Sequence, residues 1–176
     1  TLSLHDALPI SALQHVDEAK TLLRSSRDPV QLGKIFALRG NILLQVARYD
    51  RAQRYCELAY KLLRGTGENA TLGEIELSLG TILFRLGHGN RARDFFTGAL
   101  STFRRIENEG GVASALNCLG LLHKNACEWR EAIRCLNGAL ELSEKNALAK
   151  YSASIRLNLG IVHYKLGDWV LAEEFL

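Results

Sequence analysis

A 40-residue repeat is the feature that most constrains what this chain can fold into. Glycine stands at positions 40, 80, 120 and 160, and an alanine follows each glycine twelve residues later. A second alanine, nineteen residues after the glycine, occurs in the first three units as Ala59, Ala99 and Ala139. Self-similarity at a fixed period of this length is typical of solenoids, in which small supersecondary units stack and bury one another. The sequence therefore predicts a stacked array of units.

The units are predicted to be helical. Apolar residues recur at three- and four-residue spacing on both sides of each repeat glycine, which indicates amphipathic helices. The chain has 47% hydrophobic residues, enough for a buried core, and contains only two prolines. The first helices of the units are predicted over residues 30–47, 70–86, 112–126 and 148–166. The second helices are predicted over residues 51–64, 90–105 and 129–144, with another beginning at Trp169.

Linkers between these helices predict how the chain is divided into units. The complete units run over residues 30–69, 70–109 and 110–147, and residues 148–176 form a fourth unit that is cut within its second helix. Residues 11–29 are predicted to be the second helix of a truncated unit, because they continue the same alanine columns. A cut unit leaves Leu171, Phe175 and Leu176 without a following helix, so we expect self-association through this end.

Residues 1–10 do not fit the repeat. The run His-Asp-Ala-Leu-Pro-Ile at positions 5–10 can be encoded by the end of a common sequencing-adapter oligonucleotide. We therefore expect residues 1–10 to be a non-native leader, with a natural N-terminal tail as the alternative, and leave them out of the fold.

The repeat columns resemble the tetratricopeptide repeat, whose signature combines a Leu-Gly pair with a later A-x3-F motif. Leu-Gly pairs end at positions 80, 120 and 160, and Ala92 with Phe96 gives the full second motif. Turn positions agree as well, with glycine at 87 and 167 and the aromatic residues Tyr49, Trp129 and Trp169 two places further on. The opening tryptophan and the tyrosine of the signature are missing. HEAT and armadillo repeats have a similar period, but they do not require these fixed offsets.

The resemblance covers residues 11–176 and implies a right-handed α-solenoid whose first helices line a concave groove. Long-period arrays of this kind resemble those of bacterial signal-transduction and transcriptional regulators. The resemblance places the positions three before and one, four and five after each repeat glycine on the groove. From these positions and their neighbours, the candidate peptide-binding residues are Asn41, Gln45, Leu77, Thr81, Phe84, Arg85, Asn117, Lys124, Asn125, Asn158, Tyr164 and Lys165.

The expected function is a scaffold that binds a protein or peptide partner in this groove. Amides suit peptide backbone, rings supply anchors, and the cations Arg85, Lys124 and Lys165 suit an acidic partner. Asn117 and Asn158 lie at or beside the asparagine that peptide-binding relatives use as a backbone clamp. The alternatives are an unused, solvated groove and an intramolecular sensor or lid for an ATPase, kinase or DNA-binding domain outside this sequence.

Catalytic and cofactor sites are not predicted. His123 and Cys127 are four residues apart on one helix, but leucine and glycine fill the same columns elsewhere, so a structural role is favoured over a metal site. The glycine-rich turns follow helices and no strand, which argues against a phosphate loop. Net charge is only +3, and no basic stripe persists between units, so nucleic acid is not an expected partner. Without an apolar run of about 20 residues, we expect no membrane contact and a cytoplasmic location.

Overall fold

The computed structural model describes residues 28–146 and 149–175. These residues form eight α-helices with short connections and no strand in the described ranges. In chain order the helices are α1 (Pro29–Gln45), α2 (Tyr49–Leu63), α3 (Asn69–Arg85), α4 (Gly89–Arg105), α5 (Glu109–Asn125), α6 (Trp129–Lys145), α7 (Ala149–Leu166) and α8 (Trp169–Glu174). The predicted leader and the predicted helix over residues 11–27 lie outside the described residues.

Successive helices pack as pairs, which we call units 1 to 4: α1 with α2, α3 with α4, α5 with α6, and α7 with α8. Each second helix also packs on the first helix of the next unit. The backbones of first helices in neighbouring units approach one another closely, whereas second helices meet only through side chains in the described ranges, as Tyr60 of α2 and Phe95 of α4 do at a centroid distance of 6.2 Å. The layer of first helices is therefore the tighter one, and the stack curves toward it. This arrangement confirms the predicted all-α solenoid.

The repeat glycines lie where the two helices of a unit cross. A Cβ added at Gly80 would lie 2.5 Å from the ring of Phe96, and one at Gly120 would lie 2.6 Å from Cγ of Leu136. Ala92 on the facing helix is fully buried. Close approach of the backbones leaves no space for larger residues in these columns. Helix crossing within the unit thus sets the glycine column and the first alanine column.

The hydrophobic core runs across unit boundaries. Ala52, Ala59 and Leu63 of α2 belong to the same cluster as Ile75 and other residues of α3. Ala99 and Phe103 of α4 likewise pack against α5. Each unit is therefore stabilised largely by its neighbours, as in other repeat proteins.

A common turn joins the two helices of every unit. The seventh residue after the repeat glycine has a left-handed backbone, with φ of 56° at Ala47, 83° at Gly87, 59° at Cys127 and 80° at Gly167. The next amide donates to a carbonyl five residues back, as in the 2.8 Å bond from His88 to Leu83. This geometry satisfies carbonyl groups that the helix end would leave unpaired.

Several helices begin earlier than the sequence pattern predicts. Helix α5 starts at Glu109 and not at residue 112, because the Asn108 side chain accepts a 2.8 Å hydrogen bond from the amide of Gly111 and caps the helix. Asp28 caps α1 in the same way, so Pro29 is the first residue of that helix. Among the helices described, none is both long and apolar enough to cross a bilayer.

Candidate functional site

The first helices α1, α3, α5 and α7 form a continuous layer, whose open side we call the inner face. Gln45, Arg85, Asn125, Tyr164 and Lys165 are exposed there. The other candidates are half-buried: Asn41, Leu77, Thr81, Phe84, Asn117, Lys124 and Asn158. The structure thus places all twelve candidate residues on the first helices with some surface available, although not all are equally open.

Some of the predicted contact residues have structural roles. Leu77 packs against two core clusters, one shared with α5 and one with the end of α4. The Thr81 hydroxyl donates a 2.8 Å hydrogen bond to the carbonyl of Leu77 one turn back. Both side chains therefore contribute to packing between units 2 and 3.

Polar side chains connect neighbouring first helices. The hydroxyl of Ser78 donates a 2.6 Å hydrogen bond to Oδ1 of Asn41, which links α3 to α1. The ammonium group of Lys124 donates a 2.8 Å bond to Oδ1 of Asn158, which links α5 to α7. These bonds fix the spacing of the first helices and orient the polar groups of the inner face.

Lys124 is less exposed than expected. Its side chain lies between α5 and α7, and burial lowers the pKa of its amino group. Its hydrogen-bond partner is a neutral amide and not a carboxylate. Lys124 therefore carries a partly desolvated charge that has no acidic partner in the described part of the chain.

Asn117 lies two turns before Lys124 on α5. Its Oδ1 atom is buried and accepts no hydrogen bond within the described residues. A buried acceptor without a donor typically costs ~1–3 kcal/mol. A side chain kept at this cost is a candidate for binding, because a ligand can supply the missing donor.

The inner helices carry an excess of positive charge. They contain seven basic residues and only three acidic ones, Glu74, Glu76 and Glu109. Glu76 is buried, and Glu109 pairs with Lys145 at 2.6 Å. Arg85 and Lys165 are exposed and form no ion pair among the described residues. The first helices therefore carry more positive than negative charge at their surface.

A pocket of about 300 Å³ opens at the edge of the inner face, between the turn of unit 2 and the end of α5. Its lining combines three apolar residues, two turn glycines and three polar residues: Phe84, Leu122, Ala126, Gly87, Gly89, Asn90, Arg93 and Asn125. Phe84 and Asn125 were predicted site residues, whereas Gly89, Asn90, Arg93 and Leu122 were not. The sequence signal for this pocket is Gly89, which stands in a column that is otherwise aromatic.

An ion-pair cluster holds one wall of this pocket. Arg93 on α4 pairs with Glu128 in the turn of unit 3 at 3.1 Å, and Nδ1 of His123 lies 2.5 Å from the same carboxylate. The hydrogen bond from His123, with a further contribution from Arg93, lowers the pKa of Glu128. The cluster joins units 2 and 3 and holds Arg93 at the pocket.

The end of the described chain exposes apolar surface, although not in full as expected. Trp169 and Val170 are 63% and 72% exposed. Phe175 is half-buried and stacks on the His163 ring at a centroid distance of 5.7 Å, so the expectation that it is uncovered was wrong. Leu171 is 36% exposed, and Leu176 lies outside the described residues. Self-association through this end stays a prediction.

The residues considered for metal or nucleophilic chemistry are dispersed. In the described part of the chain, no three His, Cys, Asp or Glu side chains converge as metal ligands would. Burial raises the pKa of the Cys56 thiol to about 12 and that of the Cys118 thiol to about 11. A thiol with a pKa this high is not ionised at neutral pH and is a poor nucleophile. Cys135 shifts in the same direction, also through burial.

Glu76 is a buried carboxyl group outside the inner face. It lies on α3 and accepts a 3.0 Å hydrogen bond from the hydroxyl of Thr102 on α4. Burial raises its pKa, while Thr102 and the charge of Arg105 act against the rise. One neutral hydrogen bond does not replace the hydration of a carboxylate, so this site favours the protonated form.

Comparisons with known proteins agree with the geometry. Residues 111–176 match the family model of the tetratricopeptide repeat. BtubC (BKLC) from P. vanneervenii superposes with a TM-score of 0.77 at 26% identity, covering 92% of this chain and 70% of that one. A Rap protein complexed with competence and sporulation factor gives a TM-score of 0.85 at 16% identity, covering 96% of this chain and 47% of that one.

A third similar structure is YrrB, described as a tetratricopeptide repeat protein with an unusual peptide-binding site. It gives a TM-score of 0.62 at 19% identity, covering 98% of this chain and 80% of that one. Comparison of the sequence with curated proteins gives no match. This chain spans less than half the length of the Rap protein, so the solenoid corresponds to only part of that molecule.

Proposed function

We propose that this chain, of which residues 111–176 match the tetratricopeptide repeat family model, acts as an interaction scaffold that binds an acidic peptide segment of a partner protein on its inner face. The observation that carries the proposal is the set of cations without acidic partners on three successive first helices: Arg85, Lys124 and Lys165. Two of the similar structures support it, since one holds a bound factor and the other is described by a peptide-binding site.

The chemistry of the inner face suits a peptide better than a small metabolite. Amide groups of Asn117 and Asn125 can bond to peptide backbone, and the half-buried ring of Phe84 and the exposed ring of Tyr164 offer apolar contact. Charges at a partly desolvated surface steer the encounter and select the partner, more than they add affinity. Such a scaffold performs no reaction of its own.

A peptide array tests this proposal. The array carries twelve-residue segments (~40 Å when extended) in acidic, neutral and basic versions, and is probed with the full chain at low and at high salt. We expect acidic segments to be retained at low salt and released as salt rises, because the screening length shortens to ~3 Å at 1 M. Retention of neutral or basic segments in preference to acidic ones would overturn the proposal.

Two triple variants locate the binding surface. The first variant, Arg85→Ala with Lys124→Ala and Lys165→Ala, removes the inner-face cations. The matched control removes three exposed cations from the second helices by Arg91→Ala, Arg130→Ala and Arg134→Ala. We expect the first variant to lose the acidic segments and the control to keep them. Circular dichroism melting of both variants checks that the fold is intact. The reverse outcome would place binding on the outer side.

A second candidate function is regulation of a further domain in a longer protein, in the cytoplasm of a bacterium. The Rap protein that superposes on this chain is about twice as long, which favours this possibility. The reading frame of the complete gene tests it: an ATPase, kinase or DNA-binding region beside the repeats would support it, and repeats alone would contradict it.

A further inference from the structure

The pocket at Gly89 lies where the other units carry an aromatic side chain. The ninth residue after the repeat glycine is Tyr49 in unit 1, Gly89 in unit 2, Trp129 in unit 3 and Trp169 in unit 4. Each of these residues is the first of its helix. Unit 2 is thus the exception in a column of rings.

The other units show what the aromatic ring does at this position. Trp169 meets Tyr164 edge to face, with ring centroids 5.1 Å apart. Tyr49 packs against the core cluster that units 1 and 2 share, and Trp129 against the cluster that units 3 and 4 share. The cavity at the corresponding turn of unit 1 also measures about 300 Å³, and Tyr49 forms part of its lining.

Unit 2 keeps the partner of the ring but not the ring. Phe84 occupies the column of Tyr164, and it lines the pocket. A Cβ added at Gly89 would meet no atom within 4 Å. A side chain that left Gly89 as the rings leave this position in the other units would therefore enter open space. The pocket therefore has the place and the packing partner for one aromatic side chain.

We propose that this pocket binds an aromatic side chain of the partner peptide, edge to face with Phe84, in the place that Trp169 takes on Tyr164. The inference deepens the proposed function, because it names the anchor residue of the peptide bound on the inner face. Acidic residues flank this anchor in the peptide, since the neighbouring exposed cation is Arg85 and the next along the face is Lys124.

The lining of the pocket agrees with an aromatic occupant. Phe84, Leu122 and Ala126 give an apolar floor, while Asn90 and Asn125 offer amide groups to an indole N–H or a phenol hydroxyl. The volume of about 300 Å³ lies at the lower end of the usual range of ~300–1,000 Å³ for ligand pockets, which suits a single ring.

N-acetyl-L-tryptophanamide serves as a probe for the pocket alone. Titrated into the isotope-labelled chain, it should shift the NMR signals of residues 87–90 and 122–126. In Gly89→Trp, which supplies the ring from within the chain, these shifts should vanish and the melting temperature should rise. Gly89→Ala, the matched control, adds a Cβ without filling the pocket and should keep the shifts. Equal shifts in Gly89→Trp, or no shifts in the wild type, would overturn the pocket assignment.

Two acidic peptides, identical except for a central tryptophan or alanine, separate this inference from the proposed function. The tryptophan peptide should bind the wild type about tenfold more tightly, because an aromatic contact and its apolar burial together are worth about one such factor. Gly89→Trp should abolish the difference, and removal of the inner-face cations should weaken both peptides equally. If the wild type bound both peptides equally and binding still depended on salt, only the aromatic pocket would be refuted. If neither peptide bound while N-acetyl-L-tryptophanamide still did, only peptide binding on the inner face would be refuted.

Discussion

Replacing Gly120 with alanine tests whether helix crossing fixes the glycine column. A Cβ at this position would lie 2.6 Å from Cγ and 2.8 Å from Cδ2 of Leu136 on the facing helix. Carbon atoms at an optimal contact are ~3.5–4.0 Å apart, so the two helices or the leucine must move by about 1 Å. Leu136 has no solvent-exposed surface into which it could retreat.

Two opposing effects set the change in the free energy of unfolding that Gly120→Ala should cause. Overpacking of a filled core typically costs ~1–3 kcal/mol. Alanine gains ~0.5–1 kcal/mol over glycine inside a helix, because it restricts the unfolded chain. We therefore expect Gly120→Ala to lower the free energy of unfolding by about 1 kcal/mol net. A stiffer neighbour should raise this cost, so Gly80→Ala, which would strike the ring of Phe96, should destabilise at least as much.

Gly138 in α6 of the same unit gives the matched control. A Cβ there would lie 3.4 Å from Cδ1 of Leu116, the far end of a side chain, which is an ordinary contact. Gly138→Ala should therefore stabilise the protein by ~0.5–1 kcal/mol. Urea unfolding measures both variants, and equal slopes show that the midpoints report stability. If Gly120→Ala and Gly138→Ala changed the midpoint in the same direction, the crossing argument would be refuted.

Four further changes test other parts of the fold. Ala92→Leu should destabilise by ~1–3 kcal/mol by overpacking a fully buried site, whereas Arg91→Leu, its exposed neighbour, should cost well under 1 kcal/mol in the same urea experiment. Glu76→Gln should be more stable than the wild type at neutral pH, and this difference should disappear in acid. The pKa of Glu76 is raised in the folded protein. The wild type therefore has its full stability only below the pKa of the unfolded chain, and it loses part of that stability as the pH rises through the folded pKa. Glu128→Gln should behave in the opposite way: it should be less stable than the wild type at neutral pH, and this difference should disappear as the pH falls through the lowered pKa of Glu128. Thermal melts from pH 3 to 8, about the range in which carboxyl groups titrate, measure both variants. A constant difference in melting temperature from the wild type across this range would contradict both predictions. Cys127→Gly should raise stability by ~1 kcal/mol in thermal melts, since Cys127 has a left-handed φ of 59°, and a drop would show that its side chain matters more than its backbone.

The sequence predicted the helix pairs because the information for them is local. Apolar spacing on each side of a repeat glycine and the turn residues after it specify two helices and their connection. The start of α5 was predicted three residues late, since Gly110 and Gly111 resemble a linker. The Asn108 cap and packing of α5 on α4 outweigh the poor helix propensity of these glycines.

The candidate site was predicted less completely, because exposure depends on neighbouring units. The sequence places Lys124 among the polar residues of α5. Its partial burial and its hydrogen bond to Asn158 depend on the neighbouring helix α7. Leu77 occupies a groove column, yet contacts with the next unit make it part of the core. The distances that decide these roles join residues about 35 positions apart in the chain.

What the sequence by itself determined is the repeat: its period, its small-residue columns and the helix pair in each unit. The repeat glycines, the first alanine column and the helix pair depend on backbone geometry within a single unit, which every 40-residue segment encodes for itself. Tertiary structure alone decided which cations lack acidic partners, which amide is left unpaired, and that Gly89 opens a pocket against Phe84 and Leu122. These features form where side chains of adjacent units meet, and stacking sets that geometry.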